Sequence, residues 1–330
     1  MRLAAILAAI AGLILGTCVV GYYGFGAVTD ALLAIGWGGF AIVCLYHLVL
    51  FFLLGLSWWV IVPKHRATKP WIFVVSRAIR DAGSDVLPLS QIGGFIMGAR
   101  GATLLGLAGP VAIATTVVDV TVEMLAQLGY TGLGLGLLLY ARPGTGLAYG
   151  VAAAIVVTLA AAIAFIVAQR RALGLFEGFA RRIALQSLPA ATARMRPVQD
   201  AIHACYRHPP GLAQGFALHL AGWIANGIEA WIALSLMGVH VGLAAVLTIE
   251  SLLYAARSAA FFVPNALGVQ EGVYVMLGSL FGLPPETMLG LSLLKRARDI
   301  VIGVPMLLLW QGLESGRLWK RRARPASVAE

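Results

Sequence analysis

Residues 110–139 read PVAIATTVVDVTVEMLAQLGYTGLGLGLLL and decide the fold. The run is long enough to cross a membrane as a helix, which takes about 20 apolar residues. Within it Thr115, Asp119, Glu123 and Gln127 recur every four residues, so they lie along one side of a helix. A carboxylate at the bilayer centre costs roughly 2.5–3.5 kcal/mol on insertion scales, and this side must therefore face protein. The stretch predicts a polar cavity inside a membrane protein.

The composition places the whole chain in the same class. Of its 330 residues, 60% are hydrophobic and 12% are charged, whereas a typical soluble domain is about 25% charged. Several further runs are apolar over a helical length. We therefore predict an all-α polytopic membrane protein with about eight membrane segments, one or two of them re-entrant or broken.

The formal net charge of +10 follows the positive-inside pattern. Basic residues gather after the second apolar run, in the segment 169–211 and near the end of the chain. Both termini are therefore predicted on the cytoplasmic side, and no nucleic-acid partner is expected. The arginines of 169–211 would favour anionic lipid at the cytoplasmic surface by about 1 kcal/mol each, although a plain topology anchor explains them equally well.

Two apolar segments are too rich in glycine and proline for regular helices. Such backbone persists at membrane depth only when it is buried in protein or lines a cavity. We predict that residues 87–105 dip into the membrane and that residues 263–283 are broken but cross it. Residues 71–86 are predicted to lie along the inner surface as an amphipathic helix.

The two broken segments resemble each other, and each precedes a membrane helix that carries an aspartate. Interrupted segments at corresponding places of two halves are typical of transporter binding sites. We therefore predict one integral-membrane domain, 1–330, with possible repeat halves 63–168 and 212–316. The basic cytoplasmic segment 169–211 would join them.

The candidate cavity residues are the polar side chains of these apolar segments. Asp119 and Glu123 could form a proton relay, bind polyol hydroxyls, or pair with Arg100 or another buried base; a purely structural pair is the alternative. Glu250 and Arg257 share a helix face and could form a salt bridge with each other or with the broken segment; contact with a ligand is the alternative. The full set is Asp119, Glu123, Gln127, Arg100, Gln91, Glu229, Asn226, Glu250, Arg257, Asn265, Gln270, Glu271, Arg296, Arg298 and Asp299.

The basic cluster before Asp299 also needs partners. Lys295 and Asp299 have the i,i+4 spacing of a helical ion pair. Glu271 is then the candidate partner for Arg296 and Arg298. Three scattered cysteines and the lack of metal-ligand spacing predict neither a metal nor a cofactor.

The same segments resemble a known family. Residues 88–94 (PLSQIGG), 264–272 (PNALGVQEG) and 293–299 (LLKRARD) are similar to the flippase-like transmembrane family named after the membrane region of lysylphosphatidylglycerol synthase. Residues 22–26 (YYGFG) and 35–39 (IGWGG) look most like its hopanoid-biosynthesis-associated branch, HpnL. The resemblance implies translocation of hopanoids or related lipids at the bacterial inner membrane. The soluble aminoacyl-transfer domain of the synthase has no counterpart here, so its activity is not expected.

The sequence thus favours a lipid flippase or transporter whose substrate headgroup enters a polar cavity. An integral-membrane enzyme that uses Asp119 and Glu123 as acid and base is one alternative. A scaffold that holds lipid-synthesis enzymes at the basic inner surface is another. No nucleotide-binding motif supports ATP as an energy source, which leaves proton coupling or downhill movement. The sequence does not indicate an oligomeric state.

Overall fold

The computed structural model describes residues 33–63, 67–85, 90–141, 189–260 and 263–322, with a few isolated positions elsewhere. These residues form nine helices and a 3₁₀ turn, without a strand. The helices are α1 Gly36–Ile61, α2 Pro70–Asp85, α3 Ser90–Leu104, α4 Gly109–Ala141, α5 Pro189–Tyr206, α6 Pro209–Leu236, α7 Leu243–Ala259, α8 Val269–Leu280 and α9 Pro285–Arg322. The all-α prediction is confirmed.

Among the described helices, α1 with 26 residues and α4 with 33 are long and apolar enough to cross a membrane. The polar stripe lies on α4, where Thr115 and Asp119 are fully buried in the bundle. The apolar runs 3–23 and 146–168, apart from isolated positions, and residues 169–188 of the basic segment lie outside the described residues.

Helix α2 does not lie on a surface, and that prediction is wrong. Phe73, Ser76, Ile79 and both of its arginines are buried, and the helix packs against α1, α3 and α9. A polar helix face looks the same in sequence whether it meets water or buried partners. Here the polar face meets carboxylates from another helix.

Helices α2 and α3 form a close antiparallel pair. Gly94, Gly98 and Gly101 of α3 face α2, where a Cβ at Gly98 would lie 2.8 Å from the Arg80 Cβ. Small residues at this spacing let two helix backbones approach within a membrane. The described part of 87–105 is therefore a regular 15-residue helix and not a broken one. Its re-entrant course remains a prediction.

The segment 263–283 is broken, as predicted. It starts with the 3₁₀ turn Pro264–Ala266, in which Asn265 and Ala266 have φ of 48° and 46°. Helix α8 follows with 12 residues, or about 18 Å, which is shorter than the roughly 30 Å hydrocarbon core. One regular helix therefore cannot cross the membrane here.

Two groups of helices, α1–α4 and α6–α9, pack against each other. Helix α1 runs antiparallel to α6: a Cβ at Gly39 would lie 3.6 Å from the Leu236 Cβ, and one at Gly222 would meet Leu54. Helix α2 packs on α9, and α4 packs on α7. The largest apolar core lies where α6 to α9 meet, around Leu234, Ile249, Tyr274, Leu277 and Leu291.

The close contact between α2 and α3 predicts that Gly94→Ala destabilises the fold. The new methyl group would overlap the Ser84 hydroxyl and lie 2.5 Å from the Arg80 carbonyl oxygen. We expect a loss of about 1–3 kcal/mol, measured by thermal unfolding in detergent. Gly132→Ala is the matched control, because no atom lies within 4 Å of its added Cβ. Equal melting of the two variants would contradict this packing.

Candidate functional site

The first cluster of buried charges joins α2 to α4. Arg80 donates to Asp119 at 2.7 Å and also to Glu123, while Arg77 donates to Glu123 at 2.6 Å and to Asp81 at 2.8 Å. The acids lie one turn apart on α4 and the arginines nearly one turn apart on the antiparallel α2, so the two rows align. Each carboxylate of the α4 stripe thus meets a guanidinium.

Helix α6 adds a histidine to this first cluster. His219 is fully buried, and its Nε2 lies 2.9 Å from Asp119 Oδ1. Its Nδ1 has no hydrogen-bond partner among the described residues. The ring of Phe95 covers the Arg80 guanidinium at 4.7 Å, a cation–π contact. Side chains from four helices therefore meet around Asp119.

Asp119, Glu123 and His219 have the residue types and spacing of a metal site. One ligand atom from each lies within 4.8 Å of the other two. The guanidinium groups of Arg77 and Arg80 already bind both carboxylates, however, and would repel a cation. The arrangement fits an ion-pair network better than a metal centre.

The second cluster joins α6, α7, α8 and α9. Lys295 donates to Glu250 at 2.7 Å, and the Tyr274 hydroxyl donates to the other carboxylate oxygen at 2.5 Å. Asn226 accepts from the Tyr254 hydroxyl at 3.1 Å and lies 3.4 Å from Lys295 Nζ. Lys295 and Glu250 are both buried. An isolated charge here would be very costly, and the pair removes that cost only while both partners are present.

The third cluster joins α1, α6 and α9. Glu229 accepts from Arg298 through one oxygen and lies 2.8 Å from His47 Nδ1 through the other. Arg298 also donates to Asp299 at 2.6 Å. The arrangement repeats that of the first cluster, since an arginine and a histidine share one carboxylate.

Glu271 holds together the start of α8. It accepts from Arg296 at 2.8 and 3.2 Å, from Ser292 at 3.0 Å, and from the backbone N–H of Gly268 at 2.9 Å. Gln270 donates to the same Ser292 hydroxyl at 2.9 Å. These residues therefore cap the start of α8 and hold it against α9, which is a structural role.

The turn before α8 meets the end of α2. Asn265 donates to the backbone carbonyl of Asp85 at 2.8 Å and accepts from Arg257 at 3.1 Å. The Arg257 guanidinium lies 3.6 Å from the Asp85 carboxylate. Arg257 thus bridges to the broken segment, one of the two arrangements expected from the sequence, and it does not pair with Glu250.

Three other candidates lie outside these clusters. Gln127 donates to the Ser258 hydroxyl at 2.6 Å and so links α4 to α7. Arg100 pairs with Glu314 at 2.5 Å, where its side chain is 38% exposed. Gln91 is exposed on α3.

Some of the expected pairs differ from those in the structure. Lys295 does not pair with Asp299, because each turns to a closer partner on another helix or beside it in sequence. Glu271 binds Arg296 but not Arg298. Helical spacing identifies which residues can meet on one helix, but tertiary packing supplies nearer partners.

A single wide cavity shared by all these side chains is not present in the described residues. The space between the clusters is a narrow cleft with room for about one water molecule. It is lined by His47, Phe51, Asp81, Ala82, Asp85, Asp299, Ile302 and Gly303. The predicted polar cavity is therefore corrected to closed ion-pair clusters around this cleft.

Sequence reasoning missed the contribution of α2 and α1. Arg77, Asp81 and Asp85 recur every four residues, as the α4 stripe does, and Arg80 lies on the adjoining face. That spacing was the available signal. His47 gave no signal of its own, since a lone histidine in an apolar helix has no recognisable pattern.

The second cluster predicts that Glu250→Gln is strongly destabilising. The change leaves the Lys295 ammonium buried without a counter-ion, which should cost about 3–5 kcal/mol in thermal unfolding in detergent. Glu286→Gln in the first turn of α9 removes only a favourable helix-dipole contact, worth about 0.3–1 kcal/mol, and is the control. If both variants unfold at the same temperature, the Glu250–Lys295 pair does not make the predicted contribution to stability.

Comparison with known proteins identifies one family. The model of the lysylphosphatidylglycerol synthase TM region matches residues 3–305, nearly the whole chain. No curated protein and no solved structure matches the chain. The matched range includes every residue of the buried clusters. The chain therefore belongs to the family of lysylphosphatidylglycerol synthase TM regions, a family of membrane domains.

Proposed function

We propose that this protein moves an amphipathic lipid between the leaflets of a bacterial inner membrane, with both of its termini in the cytoplasm. A hopanoid or a related lipid is the proposed substrate. The family supports a lipid-related role in the membrane. The observation that carries the proposal is the set of buried ion pairs at the contacts between helices of the bundle.

Stability alone does not account for these pairs. Replacing a buried ion pair by apolar residues of similar volume is often neutral, or stabilising by about 1–4 kcal/mol. Ionisable residues inside a membrane mark substrate or ion pathways by default. Three clusters in one apolar bundle therefore support a pathway for a polar group.

The relation between the two helix groups supports a transporter. We propose that α1–α4 and α6–α9 are inverted repeats. Helices α1 and α6 are antiparallel, and His47 lies nearly as far from the start of α1 as His219 lies from the start of α6. Helix α2 packs on α9, and α4 packs on α7. The second helix of each group therefore contacts the fourth helix of the other group. In transporters with inverted repeats, substrate sites lie at the repeat interface.

The cleft is the proposed route of the headgroup. Its carboxylates face nearby guanidinium groups, and this mixture of charges of both signs suits a neutral or zwitterionic headgroup better than a strongly anionic one. The headgroup would exchange hydrogen bonds with the clusters while the apolar body remains in lipid. The clusters must part for this, which makes the structure an occluded state in this proposal.

The alternative of an enzyme has weaker support. Asp119 and Glu123 are both held by guanidinium groups, whereas a general acid or base needs a proton that it can exchange with substrate. We therefore propose a protein that moves its substrate without chemical change. A scaffold for lipid-synthesis enzymes is the remaining alternative, and reconstitution separates all three.

Leaflet exchange in liposomes tests the proposal. Purified protein should speed the exchange of a fluorescent phospholipid, read as loss of protection from an external quencher. Asp119→Asn, which leaves Arg80 with one carboxylate fewer, should slow exchange about tenfold or more, since a barrier change of about 1.4 kcal/mol already gives that factor.

Asp200→Asn on α5 is the control, because that carboxylate is exposed and should not affect exchange. Gel filtration and circular dichroism must show both variants folded. Exchange no faster than in empty liposomes would refute lipid movement, and chemical turnover of the lipid would favour the enzyme. An unchanged rate of exchange in Asp119→Asn would show that Asp119 takes no part in the pathway.

A further inference from the structure

The buried and half-buried ion pairs among the described residues do not balance in charge. They bring together eight carboxylates and six lysine or arginine side chains, which leaves two negative charges in excess. The carboxylates are Asp81, Asp85, Asp119, Glu123, Glu229, Glu250, Glu271 and Asp299. The cations are Arg77, Arg80, Arg257, Lys295, Arg296 and Arg298.

A carboxylate that is partly removed from water and lacks a full counter-charge binds a proton more readily than one in water. His47 and His219 each contact one of the carboxylates and could accept such protons, but His219 is fully buried and does not line the cleft. The cleft borders His47 and three acids. An exchangeable proton therefore belongs on a group at the cleft.

Among the three acids of the cleft, Asp85 is the one least compensated by hydrogen bonds. Arg77 donates to Asp81 at 2.8 Å, and Arg298 donates to Asp299 at 2.6 Å. The Asp85 carboxylate accepts no hydrogen bond from the described residues, and its nearest cation, Arg257, lies 3.6 Å away. A carboxyl group in this position gains least from being ionised.

The surroundings of Asp85 combine charges of both signs. Its own helix presents Asp81 and Arg77, α9 presents Asp299 and Arg298, α7 presents Arg257, and α1 presents His47. The turn after α7 adds the uncharged Asn265. A second carboxylate, Asp299, borders the same cleft, and two carboxylates that share a site resist being ionised together.

We infer that Asp85 is a proton-binding site, reached through the cleft, and that its proton controls the contact between α2 and the turn Pro264–Ala266. Ionised Asp85 attracts Arg257, which also holds Asn265. Protonated Asp85 loses that attraction, and the backbone hydrogen bond from Asn265 remains. The contact is therefore strongest at high pH and weakens as pH falls.

Infrared difference spectroscopy of the protein in liposomes tests it without any lipid assay. Ordinary carboxyl groups, with a pKa of about 4, stay ionised between about pH 8 and pH 6. The wild type should gain the C=O stretch of one protonated carboxyl group over that range. Asp85→Asn should lose the band, and Asp200→Asn should keep it.

Two further variants should shift the pH at which the band appears, one upward and one downward. Arg257→Gln removes the facing cation and should raise the proton affinity of Asp85 by about tenfold or more, so the band appears at higher pH. Asp299→Asn removes the neighbouring negative charge and should lower that affinity by a similar factor. A wild type without a titrating band, or a band that persists in Asp85→Asn, would overturn the inference. Failure of lipid exchange would leave this result unaffected.

Discussion

A charge buried in an apolar bundle needs an opposite charge beside it, and this constraint governs the structure. Asp119 is wholly buried on α4, and it is tolerable there because Arg80 approaches from α2. Arg80 reaches Asp119 only because α2 lies within the bundle, and α3 packs closely against α2 through a stripe of glycines. Lys295 and Glu250 constrain α9 and α7 in the same way. Each buried charge is thus tolerated only where a neighbouring helix presents an opposite charge.

The sequence predicts much of this arrangement but not its partners. Asp119 and Glu123 recur at a helical spacing within an apolar run, so their burial follows from the cost of charge in lipid. The break near Pro264 follows from local backbone chemistry. The role of α2 does not follow, because its amphipathic pattern is the same for a surface helix and for a buried one. Pairings such as Lys295 with Glu250 depend on which helices meet, and the spacing of residues along the chain does not indicate that.

The energetic cost of burying these charges also bears on function. A membrane bundle folds more simply with apolar contacts, so buried ion pairs within and between the helix groups call for another reason. A route for a lipid headgroup supplies that reason in our proposal. The closed clusters fit an occluded state, and the cleft beside Asp85 is where the network has room to change. Proton binding at that point would alter one contact between the two groups.

The most direct test removes the second cluster without leaving a charge unpaired. Glu250→Leu, Lys295→Met and Tyr274→Phe, made together, replace the ion pair and its attached hydroxyl by apolar groups. Our account predicts that this variant melts no lower than wild type, because a buried pair adds little net stability. It also predicts that leaflet exchange is slower by about tenfold or more. A stable variant that exchanges lipid at the wild-type rate would contradict the claim that buried charges serve transport.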